Sequence, residues 1–95
     1  MDREAAKKLL EDHHSFPSDH TFRVIVRAEG PDADEVMADI ARFCGLPDLH
    51  GRVTQAPSTG GKWVSLRIEL PCESGDTVLD IYAHLSTLPK IARYL

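Results

Sequence analysis

KWVSLRIEL, residues 62–70, alternates strictly: Val64, Leu66, Ile68 and Leu70 occupy every second position, with Trp63, Ser65, Arg67 and Glu69 between them. A period of two is the signature of a β-strand with one buried and one exposed face. TFRVIVRAE, residues 21–29, repeats the pattern. Phe22, Val24, Val26 and Ala28 fall on one face, and Arg23, Ile25 and Arg27 on the other. Two strands of this kind predict an antiparallel sheet covered on one side only.

The segments around them complete the order. Gly30-Pro31 ends the first strand. Val36, Met37, Ile40 and Phe43 then recur at helical spacing over residues 33–44, with Asp32 or Asp34 as a cap and Gly45 as a stop. His50 to Ala56 is a weaker strand, followed by a loop from Pro57 to Gly61. Ser74 or Asp76 starts a second helix with an apolar stripe of Val78, Ile81, Tyr82, Leu85 and Leu88. Pro89 closes it, and Lys90 to Leu95 forms a short last strand. The resulting β-α-β-β-α-β order predicts an α+β, ferredoxin-like sandwich: a four-stranded antiparallel sheet with two helices on one face. In the spatial order 4-1-3-2 the two strongest strands are central. The second and fourth, with Arg52, Lys90 and Arg93, suit edges, where charge discourages unwanted pairing. Residues 2–12 are helix formers with only Leu9 and Leu10 strongly apolar, so residues 1–20 read as a short helical arm pinned by Phe16, ahead of a domain over 21–95.

Composition bounds the function. A chain of 95 residues makes one domain, and 42 % hydrophobic with 27 % charged residues is ordinary for a globular protein. No apolar run approaches the roughly 20 residues that span a bilayer, and the start lacks a secretion signal, so the expectation is a cytoplasmic protein without membrane contact. A net charge of −4 disfavours nucleic acid as a partner. Cys44 and Cys72 read as two buried or half-buried free thiols.

The loop and its flanks, QAPSTGGKWVS at residues 55–65, invite comparison with phosphate-binding motifs. Aligned on Gly61-Lys62, a P-loop would need a glycine where Ala56 stands and a hydroxyl where Trp63 stands. It would also need a helix after it, and this loop joins two strands. The reading is a hairpin connection with glycines supplying positive φ. A second reading keeps hydroxyls and backbone N–H groups beside Lys62 as a hold for an anion or a partner's carboxylate.

Other chemistries fail on residue type. Five histidines occur without an HxH, HExxH or CxxC pattern, so no metal site is expected. The first turn, Glu29 to Asp34, carries three carboxylates and would repel a phosphate substrate. No nucleophile–base set stands out. Catalytic residues and cofactors are therefore expected to be absent.

Phe16-Pro17 leading into Thr21-Phe22-Arg23-Val24, then Pro57-Ser58-Thr59-Gly60 and Lys62-Trp63-Val64-Ser65, and finally Ile81-Tyr82 with Leu85, resemble the YbeD-like family of small bacterial proteins of unknown function. The resemblance spans about residues 14–95. The hairpin departs from the family pattern by an extra glycine and by Trp63 in place of the usual Tyr. The likeness implies a ferredoxin-like fold similar to ACT-like regulatory domains, and by analogy a ligand-sensing or partner-binding role.

The sequence thus points to a small, non-enzymatic regulatory or adaptor module. Its candidate contact residues are Ser58, Thr59, Gly60, Gly61 and Lys62 in the loop, with Arg23, Arg27, Trp63 and Arg67 on the open sheet face. The expected partner is an unidentified protein or a small-molecule effector, and the face also allows a homodimer. The alternative is single-stranded RNA on the same face, although RNA-binding plaits present more aromatics than one.

Overall fold

The computed structural model describes residues 2–95. Its elements run α1 (Arg3–His13), β1 (Ser18–Arg27), α2 (Asp32–Phe43), β2 (Val53–Pro57), β3 (Trp63–Cys72), α3 (Gly75–Leu85) and β4 (Arg93–Tyr94). The strands form one antiparallel sheet in the order β2-β3-β1-β4. This is the ferredoxin-like plait with β1 and β3 central, as the alternation in both strands requires.

The core lies between the sheet and the helices. Phe22, Val24 and Val26 of β1 and Leu66, Ile68, Leu70 and Cys72 of β3 are almost fully buried against Val36 and Ile40 of α2 and Val78, Ile81 and Leu85 of α3. Each such side chain contributes on the order of 1.5–3 kcal/mol by leaving water. Gly45 (φ +70°) follows the C-cap of helix α2, and the Leu46 N–H beyond it donates to the Ala41 carbonyl at 2.8 Å. That bond spans a C-terminal turn which a β-carbon would strain.

Several boundaries differ from the sequence expectation. β1 begins at Ser18, because pairing of Ser18 with Cys72 and Asp19 with Pro71 extends both central strands. Ala28 is exposed beyond the strand end instead of facing inward. β2 starts at Val53, since His50 and Gly51 form a turn in which the Arg52 N–H donates to the Leu49 carbonyl. β4 covers only Arg93–Tyr94, because Pro89 and Lys90 turn the chain before it reaches the sheet, the Ile91 N–H donating to the Leu88 carbonyl. Neither Asp32 nor Asp34 caps α2; Pro31 holds the cap position and both acids sit in the first turn, where the helix dipole favours them. Phe43, expected on the buried stripe, is 46 % exposed. Ala41 takes the inward position instead.

Helix α1 docks on α3 and leaves the far side of the sheet bare. Asp2 caps it by accepting the Ala5 N–H. Ser74 makes no side-chain cap on α3; the Glu11 carboxylate instead accepts the Gly75 N–H at 3.2 Å, so α1 supplies a cap that α3 lacks. Arg3 pairs with Asp80 at 2.7 Å and Lys7 with Asp76 at 3.0 Å. Phe16 is half-buried against the core. No helix among the described residues is long and apolar enough to cross a membrane.

The close approach at Gly75 is testable. A β-carbon there would lie 3.1 Å from the Lys7 carbonyl oxygen and 3.2 Å from the Glu11 side chain. Gly75→Ala is expected to loosen α1, with overpacking of this kind costing about 1–3 kcal/mol; faster amide exchange in residues 3–13 with the β1 and β3 amides still protected is the expected reading. Acid should act on the same contact. The Asp76 carboxyl is held below its ordinary range chiefly by the Lys7 ammonium, with Arg3 adding to it. A lowered folded-state value stabilises docking above the free carboxyl's titration and loses it as pH falls through the folded value. Exchange at α1 is therefore expected to accelerate below about pH 4, and less so in high salt, because the pair is half exposed.

Candidate functional site

Period-two alternation that buries one face of β1 and β3 sends the other face to solvent. Directly paired residues share a face, so the register defines rows across the open side: Thr54, Arg67 and Arg23 in one, Ala56, Ser65, Ile25 and Arg93 in the next, Trp63 and Arg27 in the third. Arg23, Arg27, Arg67 and Arg93 are exposed, and among the described residues none has a carboxylate within ion-pair reach. The acid nearest the middle, Glu69, accepts from the Thr21 hydroxyl at 3.1 Å.

The Arg23–Arg67 pair is the most unusual feature of this surface. The Arg23 N–H donates to the Leu95 carbonyl, and the Leu95 N–H donates to the Arg23 carbonyl. The backbone of Arg23 therefore points towards β4, and its pairing with Arg67 of β3 belongs to the non-hydrogen-bonded class, in which the α-carbons are only about 4.5 Å apart. Like charges directly opposite one another destabilise a sheet. The chain accepts that cost at the centre of its most exposed face.

Trp63 is half-buried, with the Arg27 guanidinium 5.8 Å and the Lys62 ammonium 5.7 Å from its ring centroid. The ring thereby holds two cations over it and is not offered as a bare stacking plate. Trp63 also lines a shallow, mostly apolar depression of about 430 Å³ with Ile25, Ala56, Pro57 and Ala92, to which Ser58, Ser65 and Arg93 add polar groups.

The hairpin residues Ser58, Thr59, Gly60, Gly61 and Lys62 lie at the end of this face. The Ser58 carbonyl accepts the Gly61 N–H at 2.9 Å, the Ser58 N–H donates to the Trp63 carbonyl, and the Ser58 hydroxyl accepts the Trp63 N–H at 3.1 Å. Gly60 and Gly61 take φ of +89° and +72°, as a tight reversal demands. The serine and both glycines are thus engaged in closing the hairpin. The hollow at the tip brings Arg27 and Lys62 together with Glu29, whose carboxylate would oppose an anion there.

Three further features bear on chemistry. Cys72 is buried and its thiol is pushed up to about 11 by burial, while half-burial also raises Cys44; neither has the character of a nucleophilic thiolate. Among the described residues no three His, Cys, Asp or Glu side chains are grouped to hold a metal. Asp39 of α2 and His84 of α3 meet at 2.5 Å, and Phe43 stacks on the imidazole at 4.1 Å. No hydroxyl or thiol among the described residues hydrogen-bonds that ring, so the pair ties two helices together without a nucleophile to activate. Neither this pair nor the place of Arg93 is visible in sequence. The first joins positions far apart in the chain, and the second depends on how β4 pairs with β1.

A family model described as a protein of unknown function, DUF493, matches residues 11–95. Neither the curated proteins nor the solved structures give a match.

With Arg23 and Arg67 directly opposite one another, Arg67→Gln should raise the melting temperature of the isolated chain. The expected gain is about 0.2–1 kcal/mol, shrinking as salt is added. Calorimetry at two ionic strengths checks both statements.

Proposed function

We propose that this chain, which belongs to the DUF493 family, is a non-enzymatic regulatory or adaptor module whose open sheet face is its contact surface. The observation that carries the reading is the unpaired Arg23–Arg67 couple, flanked by Arg27 and Arg93, on a face that no helix covers. A protein with 15 acidic and 11 basic residues has enough carboxylates to neutralise such a cluster internally. Most of them stand on the helices and their turns; on the open face Asp19 pairs with Arg52 and Glu69 accepts from the Thr21 hydroxyl, and neither forms an ion pair with Arg23 or Arg67. Leaving cations bare at a structural cost is what a surface built for an anionic contact requires.

The unactivated thiols and the lack of a nucleophile at His84 support binding over catalysis. The resemblance to YbeD-like proteins, and through them to ACT-like regulatory domains, adds an analogy in the same direction. A second copy stacked face to face across a two-fold axis would set Arg23 and Arg67 against themselves, so a different, anionic molecule fits better than a homodimer on this face. Single-stranded RNA fits less well because Trp63 is the only aromatic on it among the described residues and already carries two cations. The hairpin serves this reading as a brace that fixes Trp63.

Affinity capture with tagged protein tests the proposal. A partner recovered by the native chain and lost in the double variant Arg23→Glu, Arg67→Glu, but kept in a helix-side control such as Lys8→Glu, is the expected result. Capture that is indifferent to the double variant would sink the reading.

A further inference from the structure

We infer that the open face takes an acidic polypeptide segment of a partner protein, with one large apolar side chain seated in the depression beside Trp63 and carboxylates reaching the arginines around it. The inference rests on the open sheet face being the contact surface and goes on to say what that surface recognises.

Three observations select this partner. The first is the pairing of a cavity with a ring of cations. Ile25, Ala56, Pro57, Trp63 and Ala92, with Ser58 and Ser65 among them, line a mostly apolar depression of about 430 Å³. Arg93 is among its lining residues, and Arg23 and Arg27 sit two residues to either side of Ile25 on the same face. An apolar centre with a charged rim, rich in Trp and Arg, is the make-up of a protein-binding patch. The second is shape. Small-molecule sites enclose most of the ligand's surface, whereas this hollow is open to solvent along the sheet. A metabolite would be left half bare, but a side chain projecting from a polypeptide would not, since its backbone covers the rim.

The third observation concerns the anion. Arg23 and Arg67 stand directly opposite one another on adjacent strands, so one carboxylate or two neighbouring ones lie within reach of both forks. A nucleic acid would offer phosphates too, but its bases need free aromatic planes. The only ring on this face is under Arg27 and Lys62. Carboxylates flanking an apolar anchor satisfy the cations and the depression together. Phosphates satisfy only the cations.

Selection of short random peptides displayed on phage against the full chain tests this, with the Arg23→Glu, Arg67→Glu chain as counter-target. Enriched peptides should carry Asp or Glu on both sides of a single Leu, Ile, Phe or Trp. Their binding should alter the fluorescence of Trp63, the one tryptophan in the chain. Affinity should fall at least about tenfold in Arg67→Glu and with added salt. Ala56→Trp, which fills the depression, should weaken the anchored peptides while leaving the weak binding of a plain polyglutamate peptide unchanged. Melting curves and circular dichroism on all three variants check that each is folded. Enrichment of basic or uncharged peptides, binding that ignores both variants, or displacement by a uridine oligonucleotide at lower concentration than by an acidic peptide each overturns the inference. So does sedimentation showing that the face is filled by a second copy. Loss of the cellular partner in the double variant, without selection of acidic peptides, would remove this partner class and leave the open-face reading standing. A partner retained in that variant removes both.

Discussion

The antiparallel register of β1 on β3, running from Ser18 opposite Cys72 to Arg27 opposite Trp63, is the constraint from which the rest of the molecule follows. Because side chains alternate, one register decides both faces at once. Phe22 against Ile68, Val24 against Leu66 and Val26 against Val64 make the inner layer on which α2 and α3 pack. The same offsets set Arg23 against Arg67. A slip by one residue would separate the arginines, but it would also turn the apolar layer to water. Burial of that layer is worth several times the repulsion it forces on the outer face. The core therefore holds the two arginines opposite one another.

The helix side explains why the outer face stays open. A short N-terminal helix next to a half-covered sheet has two places to settle. Here α1 lies on α3, where Glu11 accepts the orphan Gly75 N–H and Arg3 and Lys7 meet Asp80 and Asp76. The acidic turns at the start of α2 and α3 collect carboxylates where helix dipoles favour them. An acidic protein thereby acquires one cationic side, and charge segregation of this kind makes a surface selective for what approaches it.

The loop that most resembles a ligand site is the part with the least spare capacity. Its serine hydroxyl and the Ser58 and Gly61 N–H groups are used within the hairpin, and Glu29 shares its hollow. Its contribution is mechanical. By closing the β2–β3 turn it holds Trp63 at the margin of the depression, under Arg27 and Lys62.

The alternation in residues 21–29 and 62–70, with two helical stripes at fixed places around them, was enough to specify the plait, its central strands and the outward direction of Arg23, Arg27, Trp63 and Arg67. Those are properties of short-range periodicity, and the chain carries them in its order alone. Strand limits, the small extent of β4, the exposure of Phe43 and the seat of α1 were decided by packing between segments distant in sequence. So were the juxtaposition of Arg23 with Arg67, the arrival of Arg93 beside Ile25 and the depression they border. A one-dimensional pattern says which way a side chain points. Only the folded register says which side chain it meets.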